Sequence, residues 1–280
     1  MSKIFDGFTK KKNFLVCIDS DGCAMDTMNS KHFYCFGPCM IEEWELTPWK
    51  DEVQRRWNEV NLYTMTRGIN RFKGLAMLLN EVDRTYKSIE GIEEFSAWAD
   101  KARELSNASL SKTMEKSSST IFKKALAWSV KVNQMVEKLP ECEKKPFGGV
   151  AEGLWAIHQK ADVAIVSSAN QDAIEKEWKA HNLLQHTDIL LSQDCGSKAY
   201  CIGRLLEKGY LKKQVLMVGD APGDWDAASA NGVLYFPILV KKESSSWNRL
   251  LTEGLEKFID GTYQGAYQQE QIEEFERNLQ

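Results

Sequence analysis

The chain has 280 residues, 43% of them hydrophobic, enough for one large domain or two smaller ones around a real core. Its net charge of −4 offers no basic footprint for nucleic acid, and no apolar run approaches a membrane span, so a cytoplasmic protein without nucleic-acid or membrane partners is expected. Seven cysteines, an odd number, argue against a fully paired disulfide framework and for buried or free thiols, Cys35 and Cys39 included.

Residues 1–13 are polar and predict a surface segment. Lys10 to Lys12 precede an apolar run, but that run is too short for the core of a signal peptide. Phe14 to Ile18 is a short apolar stretch ending in Asp19, Ser20, Asp21 and Gly22, which reads as a buried strand turning away at the glycine. In an extended chain residues i and i+2 share a face, so Asp19 and Asp21 point together where the strand ends. Two converging acids are costly unless a cation or proton offsets them, and their presence calls for a metal, a catalytic role, or both.

Asp26 and Thr27 offer a helix cap. The aromatic-rich stretch 28–49 is interrupted by Pro38 and Pro48. Residues 50–66 predict a helix on Val53, Trp57, Val60, Leu62 and Met65. A glycine-flanked basic turn, Thr66 to Gly74, precedes a helix from Leu75 to Val82, and another helix is predicted over 88–105. Residues 106–120, rich in Ser, Thr and Lys, read as a loop, and Ile121 to Leu139 as an amphipathic helix ended by Pro140. No strand signal appears between 28 and 145.

After Pro146 strands and helices alternate. Helix 150–160 leads to the strand Val163–Val166 and Ser167. Helix 171–184 leads to the strand Asp188–Leu191, and helix 198–209 to the strand Val215–Val218 and Gly219-Asp220. Helix 224–230 leads to the strand Val233–Phe236. That alternation predicts a parallel sheet covered on both faces, with ligands beyond the carboxyl ends of its strands. The tail 247–280 reads as helical and packed on the outside. The expected architecture is α/β, with a Rossmann-like core from 1–27 and 147–280 and an all-helical domain, 28–146, inserted between.

Four motifs in order resemble the haloacid dehalogenase-like hydrolase superfamily. They are Asp19-Ser20-Asp21-Gly22 after a strand, Ser167 after the strand VAIV, Lys198 at the start of a helix, and Gly219-Asp220-Ala221-Pro222-Gly223-Asp224, a GDxxxD pattern. The ordered set is far more specific than any single element. Cys23 departs from the threonine usual at that position. The resemblance implies the phosphatase-type fold with a helical cap of the C1 kind in the place of 28–146.

The resemblance also implies roles. Asp19 would be the nucleophile forming an aspartyl-phosphate. Asp21 would be the acid and base and lend its main-chain carbonyl to a Mg²⁺ held by Asp19 and Asp220. Asp224 would bind the metal through water or orient Lys198. Ser167, helped by Ser168 and the amides behind it, would bind the phosphate, and Lys198 would neutralise its charge. An acid at Asp21 favours ester chemistry over dehalogenation, because an oxygen leaving group needs a proton and a halide does not.

The expected partner is a small phosphorylated metabolite, and the chain a monomer or homodimer. Arg67, Asn70 and Arg71 are candidates for substrate contact, since arginine suits a carboxylate or second phosphate. Lys31 and His32 lie close behind Asp26. A helix-surface histidine is the plainer reading of His32, and Lys31 is the first lysine to test for Schiff-base chemistry of the phosphonatase kind. A β-phosphoglucomutase-like mutase on the same scaffold, or a non-catalytic binding module, are the remaining alternatives.

Overall fold

The computed structural model describes residues 4–280 and divides into two compact units. One is built from the chain up to Met28 and from Glu141 onward; the other runs from Asn29 to Pro140. The strands, in chain order, are β1 (Phe14–Ile18), β2 (Met25–Asp26), β3 (Lys145–Pro146), β4 (Ala161–Val166), β5 (Ile189–Leu191), β6 (Val215–Gly219) and β7 (Leu234–Pro237).

The α/β unit is organised on a five-stranded parallel sheet in the order β5-β4-β1-β6-β7. Cys17 of β1 lies opposite Ala164 of β4 on one side and Met217 of β6 on the other. Strands covered on both faces need apolar side chains, which is why β1, β6 and β4 from Val163 onward read as unbroken hydrophobic runs. The strand order reverses direction at β1, so its carboxyl end opens onto the crevice where doubly wound sheets bind ligands.

Two expectations about the ends of this unit are corrected. The segment before β1 is anchored, not merely superficial: Phe5 and Phe8 are buried around a short helix, Ile4–Gly7. The amides of Lys11 and Lys12 both donate to Oδ2 of the buried Asp162, at 2.9 Å each, beside the hydroxyl of Tyr210. The tail is helical over Glu243–Arg249, Leu255–Asp260 and Ala266–Asn278, yet it supplies core and not only cover. Trp247, Phe258, Tyr263 and Phe275 are fully buried, and the Tyr263 hydroxyl donates to the carbonyl of Tyr235 in β7 at 2.7 Å.

The short strands β2 and β3 pair antiparallel, Met25 with Pro146 and Asp26 with Lys145. Residues 141–146, expected within the insertion, therefore belong with the α/β unit. Local sequence gave no strand signal there, because a two-residue strand is defined only by the partner that crosses it.

The insertion is helical throughout. Its chain runs helically from Asn29 through Glu43, with a wide π turn over His32–Phe36 in which the Gly37 amide reaches back to the His32 carbonyl. That turn lets Pro38, which has no N–H to give, stay in the helix without breaking it. Helices Lys50–Asn58, Arg71–Thr85, Ile92–Lys101 and Thr120–Glu137 fall on the predicted spans, but the first passes into a π turn over Glu59–Tyr63 and the second starts inside the expected turn Thr66–Gly74. Met65, counted with the apolar face, is exposed.

The predicted loop at 106–120 contains a helix, Asn107–Met114. Ser106 caps it by accepting from the Ser109 amide, and the fully buried Leu110 ties it down; composition hid one anchor among many polar residues. Trp57, Trp128, Phe72, Phe95 and Phe122 fill the unit's own core, and Phe36 and Trp44 of the aromatic-rich stretch join them there, while Tyr34 is exposed. Cys35 and Cys39 are buried free thiols in the same core. Among the described residues no helix is long and apolar enough to cross a membrane.

Candidate active site

Three strand ends deliver the site. Asp19 follows β1, Ser167 follows β4 and Asp220 follows β6, each on the first residue past the sheet. The sheet's hydrogen bonding continues one step into two of them: the Asp19 amide donates to the Val218 carbonyl at 3.0 Å and the Ser167 amide to that of Leu191 at 2.9 Å. Their backbones are as fixed as the strands. Beyond Asp19 the chain turns through Gly22, whose φ of 83° lies where a side chain would be strained, and the Gly22 amide returns to the Met25 carbonyl at 2.8 Å. Cys23 is fully buried in this turn, its Sγ directed to the Val218 carbonyl.

Lys198 comes from a separate element. Ser197 caps the helix Lys198–Leu206 by accepting from the Tyr200 amide, which sets Lys198 at its first position. From there Nζ reaches Oδ2 of Asp19 at 2.9 Å and Oδ1 of Asp224 at 2.6 Å. Asp224, in the first turn of the helix Pro222–Asn231, also accepts from the Ala221 amide at 3.1 Å. A β-carbon on Gly219 would fall 2.3 Å from the Asp224 carboxyl carbon, so only glycine ends β6 without displacing that acid.

Oxygens of Asp19, Asp220 and Asp224 lie within 4.8 Å of one another, all three residues buried; among the described residues this is the one cluster that could hold a metal. Burial pushes the Asp19 carboxyl up to about 6; the Lys198 ammonium opposes this and the Asp224 charge adds to it. Burial likewise raises Asp224. Burial alone would lower Lys198, but the charges of Asp19 and Asp224 outweigh it and hold the ammonium protonated well above its usual range. Three carboxylates face one ammonium here, so the ionised site carries an excess of negative charge that a hard divalent cation fits.

That imbalance has a measurable sign. A carboxyl raised from 3.8 to about 6 holds a proton in the folded state that the unfolded chain has released. Its contribution to stability therefore falls as pH rises through that window. The metal-free Asp19→Asn variant should gain stability relative to wild type between about pH 4 and pH 6.5, by up to about 3 kcal/mol. Paired thermal melts across that range measure the difference, and a constant gap would contradict it.

The other candidates are placed as follows. The Asp21 carboxylate is half-buried and accepts from the Thr27 hydroxyl at 2.5 Å. Ser167 is buried, and its Oγ accepts from the Ala169 amide at 3.2 Å, which leaves its O–H to donate; Ser168 is exposed. Arg67 is buried in the insertion and donates to the Leu62 carbonyl at 2.8 Å. Asn70 caps the helix Arg71–Thr85 through the Phe72 amide and also donates to the Leu105 carbonyl. Both side chains donate to main-chain carbonyls of the insertion.

Arg71 differs. Its Nη1 donates to Ser129 Oγ at 3.1 Å and to Asn133 Oδ1 at 2.7 Å, and the guanidinium lies over the Phe36 ring. No carboxylate pairs with it among the described residues, and burial pushes it down to about 10. His32 is buried, not on a helix surface: Trp57 Nε1 donates to its Nδ1 at 3.0 Å, which assigns the neutral ring's proton to Nε2, and the ring stacks on Phe36. Lys31 beside it is also buried.

Sequence reasoning read Thr27 only as a helix cap and missed Trp178 and Trp247. Trp178 Nε1 donates to Ser20 Oγ and Trp247 Nε1 to the Cys23 carbonyl, each at 2.9 Å. Nothing local marks a tryptophan 158 residues away as a partner of the nucleophile turn.

A family model described as haloacid dehalogenase-like hydrolase matches residues 50–237, about two-thirds of the chain. The chain belongs to the haloacid dehalogenase-like hydrolases. The match begins beyond Asp19, so the first motif stands on its own geometry.

Solved structures share the fold of this hydrolase at low identity. A candidate phosphoglycolate phosphatase from Lactobacillus delbrueckii subsp. bulgaricus is 14% identical, with a TM-score of 0.53 over 89% of this chain and 99% of that one. A candidate β-phosphoglucomutase from Thermotoga maritima is also 14% identical, with a TM-score of 0.51 over 87% and 99%. No curated protein matches the sequence.

Proposed function

We propose that this hydrolase cleaves a small phosphomonoester in a Mg²⁺-dependent reaction through an aspartyl-phosphate on Asp19. The observation that carries the reading is the Lys198 ammonium bridging Asp19 and Asp224 inside a cluster of three buried carboxylates. A static ion pair would need one acid, not three.

Asp19 and Asp220 would hold the ion, with the main-chain carbonyl of Asp21 as the family resemblance implies, and Asp224 would bind it through water or orient Lys198. Bound there, Mg²⁺ would supply the positive charge that lets the Asp19 anion approach a phosphate anion. The free Asp19 oxygen attacks phosphorus as the ester P–O bond breaks, and Asp21, held by Thr27, gives its proton to the departing alkoxide. Asp21 then takes a proton from water, which attacks the same phosphorus and releases Asp19 and inorganic phosphate. Ser167 donates its hydroxyl to a phosphoryl oxygen, and Lys198 balances the charge that Asp19 gives up.

A phosphate-release screen over small phosphate esters, with Mg²⁺ and with chelator, tests this. Release that needs the metal is expected, and a sugar-phosphate isomer without free phosphate would mean a mutase instead.

A further inference from the structure

Ser20 stands between the two carboxylates assigned to the reaction, in the turn just past β1. There it is fully buried, and its Oγ accepts the indole N–H of the equally buried Trp178 at 2.9 Å. The Ser20 carbonyl accepts from the amides of Ala24 at 3.0 Å and Met25 at 2.8 Å. One residue thus gathers three of the hydrogen bonds that shape the turn.

Trp178 lies in the helix Gln171–Ala180, which is capped by Asn170 directly after the Ser167 turn. The start of that helix therefore belongs to the phosphate-side serine, and its later turns reach the nucleophile. The chemistry above uses no atom of Trp178. A buried indole needs some acceptor for its N–H, but the acceptor here is a side chain with a reacting acid on either side.

We propose that Trp178 is a positioning residue: by holding Ser20 Oγ, its indole N–H fixes the backbone rotation that aims Asp19 and Asp21 at the same phosphorus. The inference rests on the function proposed above. Asp19 is anchored on β1 through its amide, so rotation about Ser20 would swing Asp21 relative to it, and a displacement of about 1 Å in a reacting group costs up to roughly a hundredfold in rate.

The test compares Trp178→Phe, Ser20→Ala and the double variant in the full chain, with Mg²⁺ and the best ester from the screen. Each single change should lower kcat on the order of tenfold to a hundredfold, with KM within about twofold. The double variant should lose no more than the worse single one, because both remove the same bond. Unchanged kcat, losses that multiply, or losses that merely follow the folded fraction in thermal unfolding would each overturn the proposal.

Backbone hydrogen exchange over residues 20–25 reads the clamp without turnover. Faster exchange there in Trp178→Phe, with β6 unchanged, supports it; unchanged exchange over 20–25 overturns it. Should wild type release no phosphate from any ester, the proposed function falls, and the exchange measurement still decides whether Trp178 holds the turn.

Discussion

Asp19→Asn should abolish phosphate release, with kcat reduced by roughly four orders of magnitude or more, while the protein stays folded. The amide keeps the shape of the carboxylate and can still meet Lys198, but it offers no anionic oxygen to attack phosphorus. It also removes one of three buried negative charges, so the fold should gain where the chemistry is lost. Opposite movements of activity and melting temperature in one variant mark a residue kept for reaction and not for stability. An inactive but destabilised Asp19→Asn would count against the electrostatic account of the site. Retained activity would remove Asp19 as nucleophile.

Lys198→Met should be the single change most damaging to stability, with a large loss of rate beside it. Nζ is the shared partner of Asp19 at 2.9 Å and Asp224 at 2.6 Å, and without it the acids face each other in a buried cluster. Removing one partner of a buried ion pair costs about 3–5 kcal/mol, since the remaining charge is left without compensation. Two effects should soften the loss: lower pH, which protonates the raised carboxyls of Asp19 and Asp224, and millimolar Mg²⁺, which supplies the missing positive charge. Thermal unfolding at pH 5 and pH 8, with and without the ion, measures both. A melting temperature indifferent to Mg²⁺ in the variant would argue against a cation among these carboxylates. Activity should fall by roughly a thousandfold or more even where the fold is rescued, because the phosphoryl charge also loses its ammonium.

The sequence alone determined the sheet and which residues end its strands. Apolar runs closed by Asp19, Ser167 and Asp220 are local features, and a parallel sheet at helical intervals brings the carboxyl ends of adjacent strands to one edge. The helical character of the insertion was legible for the same reason, since most of its helices carry a periodic apolar face.

Tertiary structure alone decided the rest. Phe5, Phe8 and Trp247 look peripheral in the chain and become core only when distant elements cover them. The two-residue pairing of β2 with β3 has no sequence period to detect. The turn that carries Asp19 and Asp21 is held by Trp178 and Trp247, and a hydrogen bond between residues far apart in the chain leaves no mark on the spacing of either. Periodicity records which face a residue presents; only the folded chain records what it meets there.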